Sequence, residues 1–391
     1  MKKVFWCVLL FILLLNTAFA QLKNEDYICH YGHLSNTSYC LTKDKKVTIA
    51  FLGGSITHMK GWRDLVSEKL KSQYPDVEFT FINAGIPSLG SLPHAFRFEK
   101  DVLEKGKVNL LFLESAVNDK SNRTPEKTQR RALEGIVRNA LRANPFMDIV
   151  MMAFVDPDKM TDYREGKIPN EVKVHQDITE KYHLPFINLA KEITDRIDNR
   201  EFSWNTDFKD LHPSPFGQNL YFQTIMTLLD LDLKATKSQH KKAIKSPVDC
   251  LNYCRGHYLY ILNARHLNGF RICDVWKPAD NTPTREGFVN IPVLEASTPG
   301  SSFCLQFKGS TIGIGAISGP DAGIVEYSID GKEYPPIDLF TDWSNSLYLP
   351  WFLILGDDLK PGNHELQVHI SKNHHINSIG TVLRIVDFLE N

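Results

Sequence analysis

A serine, an asparagine and a histidine occupy positions from which they could perform nucleophilic catalysis. Ser55 follows the apolar run 47–52 and two glycines, and a serine hydroxyl attacks a carbonyl readily only when a base takes its proton. His212, in the segment 209–217, is a candidate for that base. The tetrahedral intermediate would carry an oxyanion, for which the side-chain amide of Asn118 is a donor. These residue types predict acyl transfer.

The position of Ser55 also fits two other kinds of structure. Serine is a preferred helix N-cap, so a serine between a strand and a helix is common without catalysis. A phosphate-binding loop is excluded, because neither its glycine spacing nor its lysine is present. The G-x-S-x-G nucleophile elbow is also absent, because Thr57 stands where the second glycine would be. The choice between catalysis and capping therefore depends on the rest of the chain.

Alternating strands and helices are predicted around these residues. Residues 47–52 contain almost no polar side chain, which is typical of a strand covered on both faces of a parallel sheet. Further strands are predicted at 78–82, 109–113, 148–154 and 185–189, and helices at 62–73, 94–104, 125–143, 170–182 and 215–231. This alternation predicts an α/β domain with helices on both faces of the sheet. Ligands of such sheets bind at the carboxyl ends of the strands, where Ser55 and Asn118 lie.

The chain of 391 residues is long enough for two domains. Beyond a lysine-rich segment, short β-rich runs follow at 303–307, 311–317, 324–329, 347–355, 365–370 and 381–388, with turn signals at Asp330-Gly331 and Pro361-Gly362. They predict an all-β sandwich of jelly-roll type. The predicted division is a signal peptide at 1–20, an N-terminal extension at 21–46, a catalytic domain at 47–233, a linker at 234–246 and the sandwich at 247–391.

The first twenty residues predict export. Two lysines precede the apolar run 4–15, and Ala18-Phe19-Ala20 supplies a small-residue cleavage site. We therefore expect a secreted or periplasmic protein without membrane insertion. The net charge of −1 and the lack of a basic block disfavour a nucleic acid partner.

Seven cysteines raise the questions of disulfides and of metal binding. Cleavage after residue 20 would remove one of them and leave an even number in a compartment that permits disulfides. Proximity in sequence favours a pairing of Cys29 with Cys40, with the other four cysteines paired within the C-terminal part. The Cys250-x-x-x-Cys254 spacing could bind zinc, but no histidine pair follows it. Asn118 and Asp119 are too few ligands for calcium. We expect no metal and no cofactor.

Four ordered blocks resemble one hydrolase family. They are G-G-S-I-T with Ser55, N-A-G-I from Asn83, V-N-D with Asn118 and D-L-H-P with His212. In this order they resemble the SGNH hydrolases, also called the GDSL esterase family, over the catalytic domain. The resemblance implies a flavodoxin-like, three-layer α/β/α fold and hydrolysis of ester bonds, often acetyl esters on sugars. It also implies that Ser55 is the nucleophile, His212 the base, and the backbone of Ser55 and the side chain of Asn118 oxyanion donors.

Three positions depart from the family pattern, and one of them is Ala116, which replaces the usual glycine before Val117-Asn118. The acid of the family usually lies three residues before the histidine, where this chain has Lys209, so Asp210 is the predicted acid, with Asp207 or a backbone carbonyl as alternatives. The glycine of the second block is displaced: Ser88 stands at its position and Gly90 follows two residues later. Either residue could supply the third oxyanion donor.

The function predicted from these blocks is that of a serine esterase which removes acetyl or other small acyl groups from polysaccharides or oligosaccharides. An acylated glycan is the predicted partner, and the oligomeric state is left open. The alternatives are a lipase or sugar methylesterase of the same fold, and a carbohydrate-binding protein whose esterase site has decayed. In the C-terminal part, Trp343, Tyr348 and Trp351 could stack on sugar rings or pack the sandwich core.

Overall fold

A computed structural model describes residues 22–234 and 238–391. The predicted signal peptide at 1–20 lies outside the described residues, as do residues 235–237 of the predicted linker. Two domains follow each other along the chain, one built on a mixed sheet with helices and one built from two antiparallel sheets. The predicted fold class is confirmed.

The N-terminal domain is built on a six-stranded sheet with the order β1-β6-β5-β4-β2-β3. Its strands are β1 (Ile28–His30), β2 (Lys46–Gly53), β3 (Glu78–Gly85), β4 (Leu110–Glu114), β5 (Asp148–Met152) and β6 (Pro185–Ile187). Strands β2 to β6 are parallel. In their own chain order these five strands are arranged 2-1-3-4-5, which is the flavodoxin-like order.

Strand β2 lies between β3 and β4, and all of its residues except the first are buried. Leu52 of β2 pairs with Leu113 of β4, so the two strands end side by side. The chain order reverses at this pair of strands, which creates the crevice where open α/β sheets bind ligands. The residues that follow β2 and β4 are therefore brought to one place by the sheet itself.

Within residues 22–234, ten α-helices accompany the sheet and form a layer on each of its faces. They are α1 (Ser35–Tyr39), α2 (Ser55–His58), α3 (Trp62–Gln73), α4 (Ser91–Asp101), α5 (Ala116–Ser121), α6 (Glu126–Ala143), α7 (Pro157–Arg164), α8 (Asn170–Tyr182), α9 (Leu189–Asp198) and α10 (Pro215–Asp232). Helices α3, α9 and α10 bury their apolar side chains against one face, and α4, α6 and α8 against the other. The bounds of α3 and α8 match the predicted helices.

Several boundaries predicted from sequence are wrong: the helix predicted at 94–104 is Ser91–Asp101, and the strand predicted at 148–154 ends at Met152. The strand predicted at 185–189 ends at Ile187, and α9 begins at Leu189. Asn188 separates the two elements because its side chain accepts a hydrogen bond from the backbone N–H of Lys191 at 3.0 Å. That bond caps the helix and satisfies one of its free N–H groups.

The predicted N-terminal extension contributes a strand to the sheet. Strand β1 pairs antiparallel with β6, with Cys29 opposite Phe186. A three-residue strand gives too little periodicity to be recognised in the sequence. It covers the edge of β6, which would otherwise expose unpaired backbone groups.

The C-terminal domain is the predicted β-sandwich. One sheet has the order β15-β12-β17-β10-β9 with β7 also paired to β17, and the other has the order β14-β13-β16-β11-β8. The strands are β7 (His257–Tyr260), β8 (Ala264–Asn268), β9 (Arg271–Trp276), β10 (Ile291–Ala296), β11 (Ser302–Gly309), β12 (Ile312–Ser318), β13 (Gly323–Ile329), β14 (Lys332–Asp338), β15 (Leu349–Gly356), β16 (Gly362–His374) and β17 (Leu383–Glu390). Asp330 and Gly331 both have positive φ angles and form the predicted turn from β13 to β14.

Arg131 of α6 joins the two domains. Its side chain is 4% exposed and forms ion pairs with Asp249, Asp357 and Asp358, each at 2.6 Å. The buried ring of Tyr253 completes this interface, with its centroid 5.3 Å from that of Phe96 on α4. The apolar core under α4 and α6 therefore continues into the C-terminal half of the chain.

The predicted pairing of Cys29 with Cys40 is wrong. Cys29, Cys40, Cys250, Cys254, Cys273 and Cys304 all carry free thiols. The Cys40 sulfur accepts hydrogen bonds from the side-chain amides of Asn109 at 3.4 Å and Gln239 at 3.2 Å. Closeness in sequence therefore did not bring the two thiols together, because β1 carries Cys29 to the edge of the sheet.

Within residues 22–234 and 238–391, no group of three or more His, Cys, Asp or Glu side chains is arranged to hold a metal ion. The spacing of Cys250 and Cys254 thus finds no further zinc ligands there. Across the same two ranges, no helix has the length and apolar content needed to cross a membrane.

Candidate active site

Ser55 lies at the start of α2, directly after β2. The preceding Gly54 has φ −86° and ψ −150°, so the turn does not need a positive φ angle. Glycine is required there for space: a Cβ atom on Gly54 would lie 2.1 Å from the Oδ1 atom of Asn118. Gly54 thus lets the Asn118 side chain approach the serine loop.

Ser55 and His212 form the contact that a nucleophile and its base require. The Oγ atom of Ser55 and the Nε2 atom of His212 are 2.8 Å apart. His212 lies in the loop between a π-helical turn at Trp204–Phe208 and α10. This is the geometry expected of an activated serine.

Asp210 does not form the predicted hydrogen bond with the imidazole. Its Oδ1 atom accepts the backbone N–H of His212 at 2.6 Å and lies 3.9 Å from Nδ1 of the same residue. Asp207 is not a substitute, because its carboxylate accepts hydrogen bonds from the backbone and hydroxyl of Ser203. Across the two described ranges, no backbone carbonyl accepts a hydrogen bond from Nδ1 of His212 either.

The environment of His212 favours the neutral imidazole that a base must be. Partial burial lowers the pKa of His212 below its ordinary value. The charge of Asp210 opposes this shift, and the positive charges of Arg285 and Lys209 add to it. Asp210 therefore acts on the base through its charge and through the loop backbone.

Asn118 reaches the site from α5, which follows β4. The carboxylate of Glu114, at the end of β4, accepts the backbone N–H of Val117 at 3.1 Å and that of Phe154 at 3.4 Å. Glu114 is 2% exposed, and its burial raises its pKa to about 7. Glu114 thus holds the first turn of the helix that carries Asn118.

Two residues, Ser88 and Gly90, are candidates for the third oxyanion donor. They differ in their position relative to the pocket. Ser88 lines the pocket that contains Ser55 and His212, and its φ angle is +70°. Gly90 precedes α4 and does not line this pocket, and a Cβ atom there would lie 2.5 Å from the Oδ1 atom of Asp119. The structure therefore favours Ser88 for this position.

Asp119 connects the Asn118 helix with the Ser88 loop. Its Oδ1 atom accepts hydrogen bonds from both the backbone N–H and the hydroxyl of Ser91, at 2.8 and 2.9 Å. The side chain is fully buried, and burial raises its pKa to about 7. The glycine at position 90 leaves the room in which this carboxylate meets the start of α4.

These residues enclose a pocket of about 190 Å³, which we call the catalytic pocket. Both domains line it: Ser55, Pro87, Ser88, Val117, Asn118, Ser121, Asn122, Leu211 and His212 come from the N-terminal domain, and Arg285, Trp343 and Leu349 from the C-terminal domain. Sequence reasoning missed Arg285 and Leu349, for which no motif or spacing gives a signal. Trp343 was noted only as one member of an aromatic cluster.

The three aromatic residues of that cluster divide between the two expected roles. Tyr348 is buried, and its ring packs against Trp276 with centroids 5.2 Å apart. Trp343 is 38% exposed and lines the catalytic pocket. Trp351 is partly buried, and its ring centroid lies 6.3 Å from that of Trp343. Only Trp343 is therefore placed to meet a substrate in this pocket.

Comparison with protein families agrees with this geometry. Residues 51–220 match the GDSL-like lipase/acylhydrolase family, a span that starts in β2 and ends in α10. It includes Ser55, Asn118 and His212. The N-terminal domain is a GDSL-like lipase/acylhydrolase domain. This assignment makes the chain a carboxylic ester hydrolase.

Two solved structures share the fold of both domains of the chain. One is a two-domain esterase, CEX, active on acetylated mannans and co-crystallised with mannopentaose; it has 23% sequence identity and a TM-score of 0.76, over 95% of this chain and 98% of the other. The other is a structure of a two-domain esterase of the same description, with 24% identity and a TM-score of 0.77 over the same shares. No curated protein sequence matches the chain.

Proposed function

We propose that the protein is a serine esterase that removes acetyl or similarly small acyl groups from a polysaccharide or oligosaccharide. The observation that carries the proposal is the 2.8 Å contact between Ser55 Oγ and His212 Nε2 beside Asn118. Activity on acetylated mannans is described for the two-domain esterase whose fold the chain shares. Acetylated mannan is therefore the first substrate to test.

The proposed mechanism has two halves. Ser55 Oγ attacks the ester carbonyl while His212 Nε2 takes its proton, and the backbone N–H groups of Ser55 and Ser88 and the amide of Asn118 hold the oxyanion. His212 then gives the proton to the leaving sugar oxygen. In the second half, water attacks the acyl-serine while His212 Nε2 takes a proton from that water, and His212 then gives this proton to Ser55 Oγ as the bond to the acyl carbon breaks and the acid leaves. Asp210 supports His212 through its charge and through the loop backbone.

The size of the catalytic pocket favours a short acyl group. Its volume of about 190 Å³ is below the roughly 300 to 1,000 Å³ of sites for drug-sized ligands. A long fatty acyl chain would need a continuous apolar channel, whereas this pocket includes the polar side chains of Asn118, Asn122 and Arg285. This supports a sugar esterase over the lipase alternative.

A second cavity supports a substrate that extends beyond the acetylated sugar. It has a volume of about 430 Å³, lies between the domains and shares Pro87 with the catalytic pocket. The aromatic side chains of Tyr258, Tyr260 and Phe288 line it together with charged groups. Sugar chains bind to such combinations of ring faces and hydrogen-bonding side chains, so the cavity is suited to neighbouring sugar units.

We further propose that the protein works outside the cytoplasm after removal of residues 1–20, because that segment has a charged start, an apolar run and a small-residue cleavage site. N-terminal sequencing of the exported protein tests this point, with Gln21 as the expected first residue.

The catalytic test compares Ser55→Ala and His212→Ala with the unmodified protein on a small aryl acetate. Each variant should lose at least about 1,000-fold in kcat, because the nucleophile and its base act as a unit. Retention of full activity by either variant would exclude the mechanism. An exposed serine that does not line the pocket, Ser72 on α3, provides the matched control Ser72→Ala.

The substrate test measures acetate and methanol released from acetylated mannan, acetylated xylan and methyl-esterified pectin. Acetate from an acetylated glycan supports the proposal. Methanol from pectin without acetate from either acetylated glycan would identify a methylesterase. Binding to these glycans without release of either product would identify the decayed-esterase alternative.

A further inference from the structure

Arg285 joins the C-terminal domain to the loop that carries Ser88. The Nε–H group of Arg285 donates a hydrogen bond to the Oγ atom of Ser88 over 3.2 Å. Arg285 lies between β9 and β10 of the sandwich, and Ser88 lies between β3 and α4 of the GDSL-like domain. The contact therefore crosses from one domain to the other at the wall of the catalytic pocket.

The backbone of Arg285 is fixed to the sandwich. Its N–H donates to the carbonyl oxygen of Tyr348 at 3.1 Å, and the N–H of Tyr348 donates to the carbonyl oxygen of Pro283 at 2.8 Å. Tyr348 is buried, and its ring packs against that of Trp276. These contacts hold the loop on a packed part of the second domain, so the position of the guanidinium is set by the sandwich.

Ser88 adopts a conformation that needs support. Its φ angle of +70° lies in the left-handed region, which residues other than glycine rarely adopt. Two contacts hold it: the carbonyl oxygen of Ser88 accepts the side-chain N–H of Asn122 at 2.9 Å, and its hydroxyl accepts the Nε–H of Arg285. One of these two contacts comes from each domain.

The charge of Arg285 is not neutralised by a neighbour. Over residues 22–234 and 238–391, no carboxylate lies within ion-pair distance of its guanidinium. Arg285 also lines the catalytic pocket with Ser55 and His212. Its charge is thus available to the site as well as its hydrogen bond.

We propose that Arg285 is a positioning residue that holds Ser88 in the left-handed conformation, so that the backbone of this loop serves the oxyanion. The inference rests on the proposed function and adds a role for the second domain in the chemical step. It makes catalysis on even the smallest ester depend on a residue outside the GDSL-like domain.

The first experiment measures kcat and KM of Arg285→Ala on a small aryl acetate. This substrate is too short to need a glycan-binding site, so a contact with sugar would leave its hydrolysis unchanged. We expect kcat to fall by at least roughly tenfold. The upper limit is the loss of about 100- to 1,000-fold that removal of a whole oxyanion donor causes. KM should stay within about twofold, as for an interaction made only in the transition state.

The pH profile separates the charge of Arg285 from its hydrogen bond. The positive charge of Arg285 contributes to the lowered pKa of His212. The acid limb of kcat/KM should therefore move to higher pH in Arg285→Ala. In Arg285→Lys the charge remains but the Nε–H group is lost, so the limb should stay in place while kcat still falls.

A glycine at position 88 provides the sharpest test. Glycine adopts positive φ without the steric penalty, so Ser88→Gly should make the support from Arg285 unnecessary. Arg285→Ala should then cost much less in the Ser88→Gly background than in the parent protein. This non-additivity is expected of residues that act through each other.

Arg271→Ala is the matched control, because Arg271 is an exposed arginine of the same domain, paired with Glu295. It should leave kcat unchanged. Far-UV circular dichroism and the thermal midpoint of each variant establish that it is folded before its kinetics are compared.

Two results would overturn the inference. One is a normal kcat of Arg285→Ala on the aryl acetate together with a loss on glycan substrates, which would make Arg285 a sugar contact. The other is an equal loss in kcat with serine and with glycine at position 88. Neither result affects the proposed function, which is tested separately by the Ser55→Ala and His212→Ala variants and by the products released from the glycans.

Discussion

The two sides of the catalytic pocket are built in different ways. The proposed oxyanion side, formed by Ser55, Ser88 and Asn118, follows the ends of parallel strands, of which β2 and β4 are buried. The imidazole side, formed by Asp210 and His212, stands on an exposed loop, with the two side chains 52% and 49% exposed. The nucleophile Ser55 is thus held by the sheet, whereas its base His212 lies on an exposed loop.

The difference lies in how each side is supported. Buried Glu114 and Asp119 accept backbone N–H groups behind the oxyanion side. Buried polar groups are strongly constrained, because leaving a partner unpaired away from water is costly. On the imidazole side, Asp210 and Asp207 make similar hydrogen bonds in contact with solvent, where water replaces a lost bond. We expect the oxyanion side to be the more rigid of the two.

The largest effect in this comparison is expected from Asn118→Ala. Removal of one oxyanion donor should lower kcat about 100- to 1,000-fold, because the lost interaction forms mainly in the transition state. Steady-state kinetics on an aryl acetate measure it, with the exposed Asn373→Ala as control. An unchanged kcat would remove Asn118 from the oxyanion site.

A matched pair of aspartates tests the difference in support. Asp119 and Asp207 each accept the backbone N–H and the hydroxyl of a serine, but Asp119 is buried and Asp207 is exposed. Asp119→Ala leaves buried donors unpaired and should lower the free energy of unfolding by about 1 to 3 kcal/mol. Asp207→Ala should lower it by only about 0.5 kcal/mol, as for a surface change. Chemical denaturation measures both, and equal losses would contradict the comparison.

Asp210→Asn should have a modest effect on the rate. In a triad whose acid is bonded to the imidazole, this kind of change costs about 10,000-fold in kcat. Because Asp210 lies 3.9 Å from Nδ1 of His212 and bonds to its backbone instead, we expect a loss of roughly tenfold. A loss near that of a full triad would show that the carboxylate turns to the imidazole during catalysis.

The smallest effect concerns pH. His212 must be neutral to accept a proton, and its partial burial lowers its pKa below the ordinary histidine value. The acid limb of kcat/KM should therefore lie below that value, with activity falling as the pH drops through it. The charge of Asp210 raises the pKa of His212, so Asp210→Asn should move the limb to still lower pH. A shift to higher pH would contradict this assignment.

The sequence by itself determined the parts of the protein that depend on local patterns. The uninterrupted apolar run before Gly53 predicts a buried strand, and the alternation that follows predicts the parallel sheet. Once the strands are parallel, their carboxyl ends meet, so the residues after β2 and β4 share one edge. For this reason the sequence predicted that Ser55 and Asn118 lie together. The placement of His212 at the same edge rested on the D-L-H-P block and its resemblance to the family.

Only the tertiary structure decided the contacts that cross the chain. Ser88 is distinguished from Gly90 because Ser88 lines the catalytic pocket and Gly90 does not. Arg285 meets Ser88, 197 residues away in sequence, because the sandwich packs against α4 and α6. Such contacts leave no periodicity or spacing in either partner. They arise from how the two domains dock, and a linear pattern does not record that arrangement.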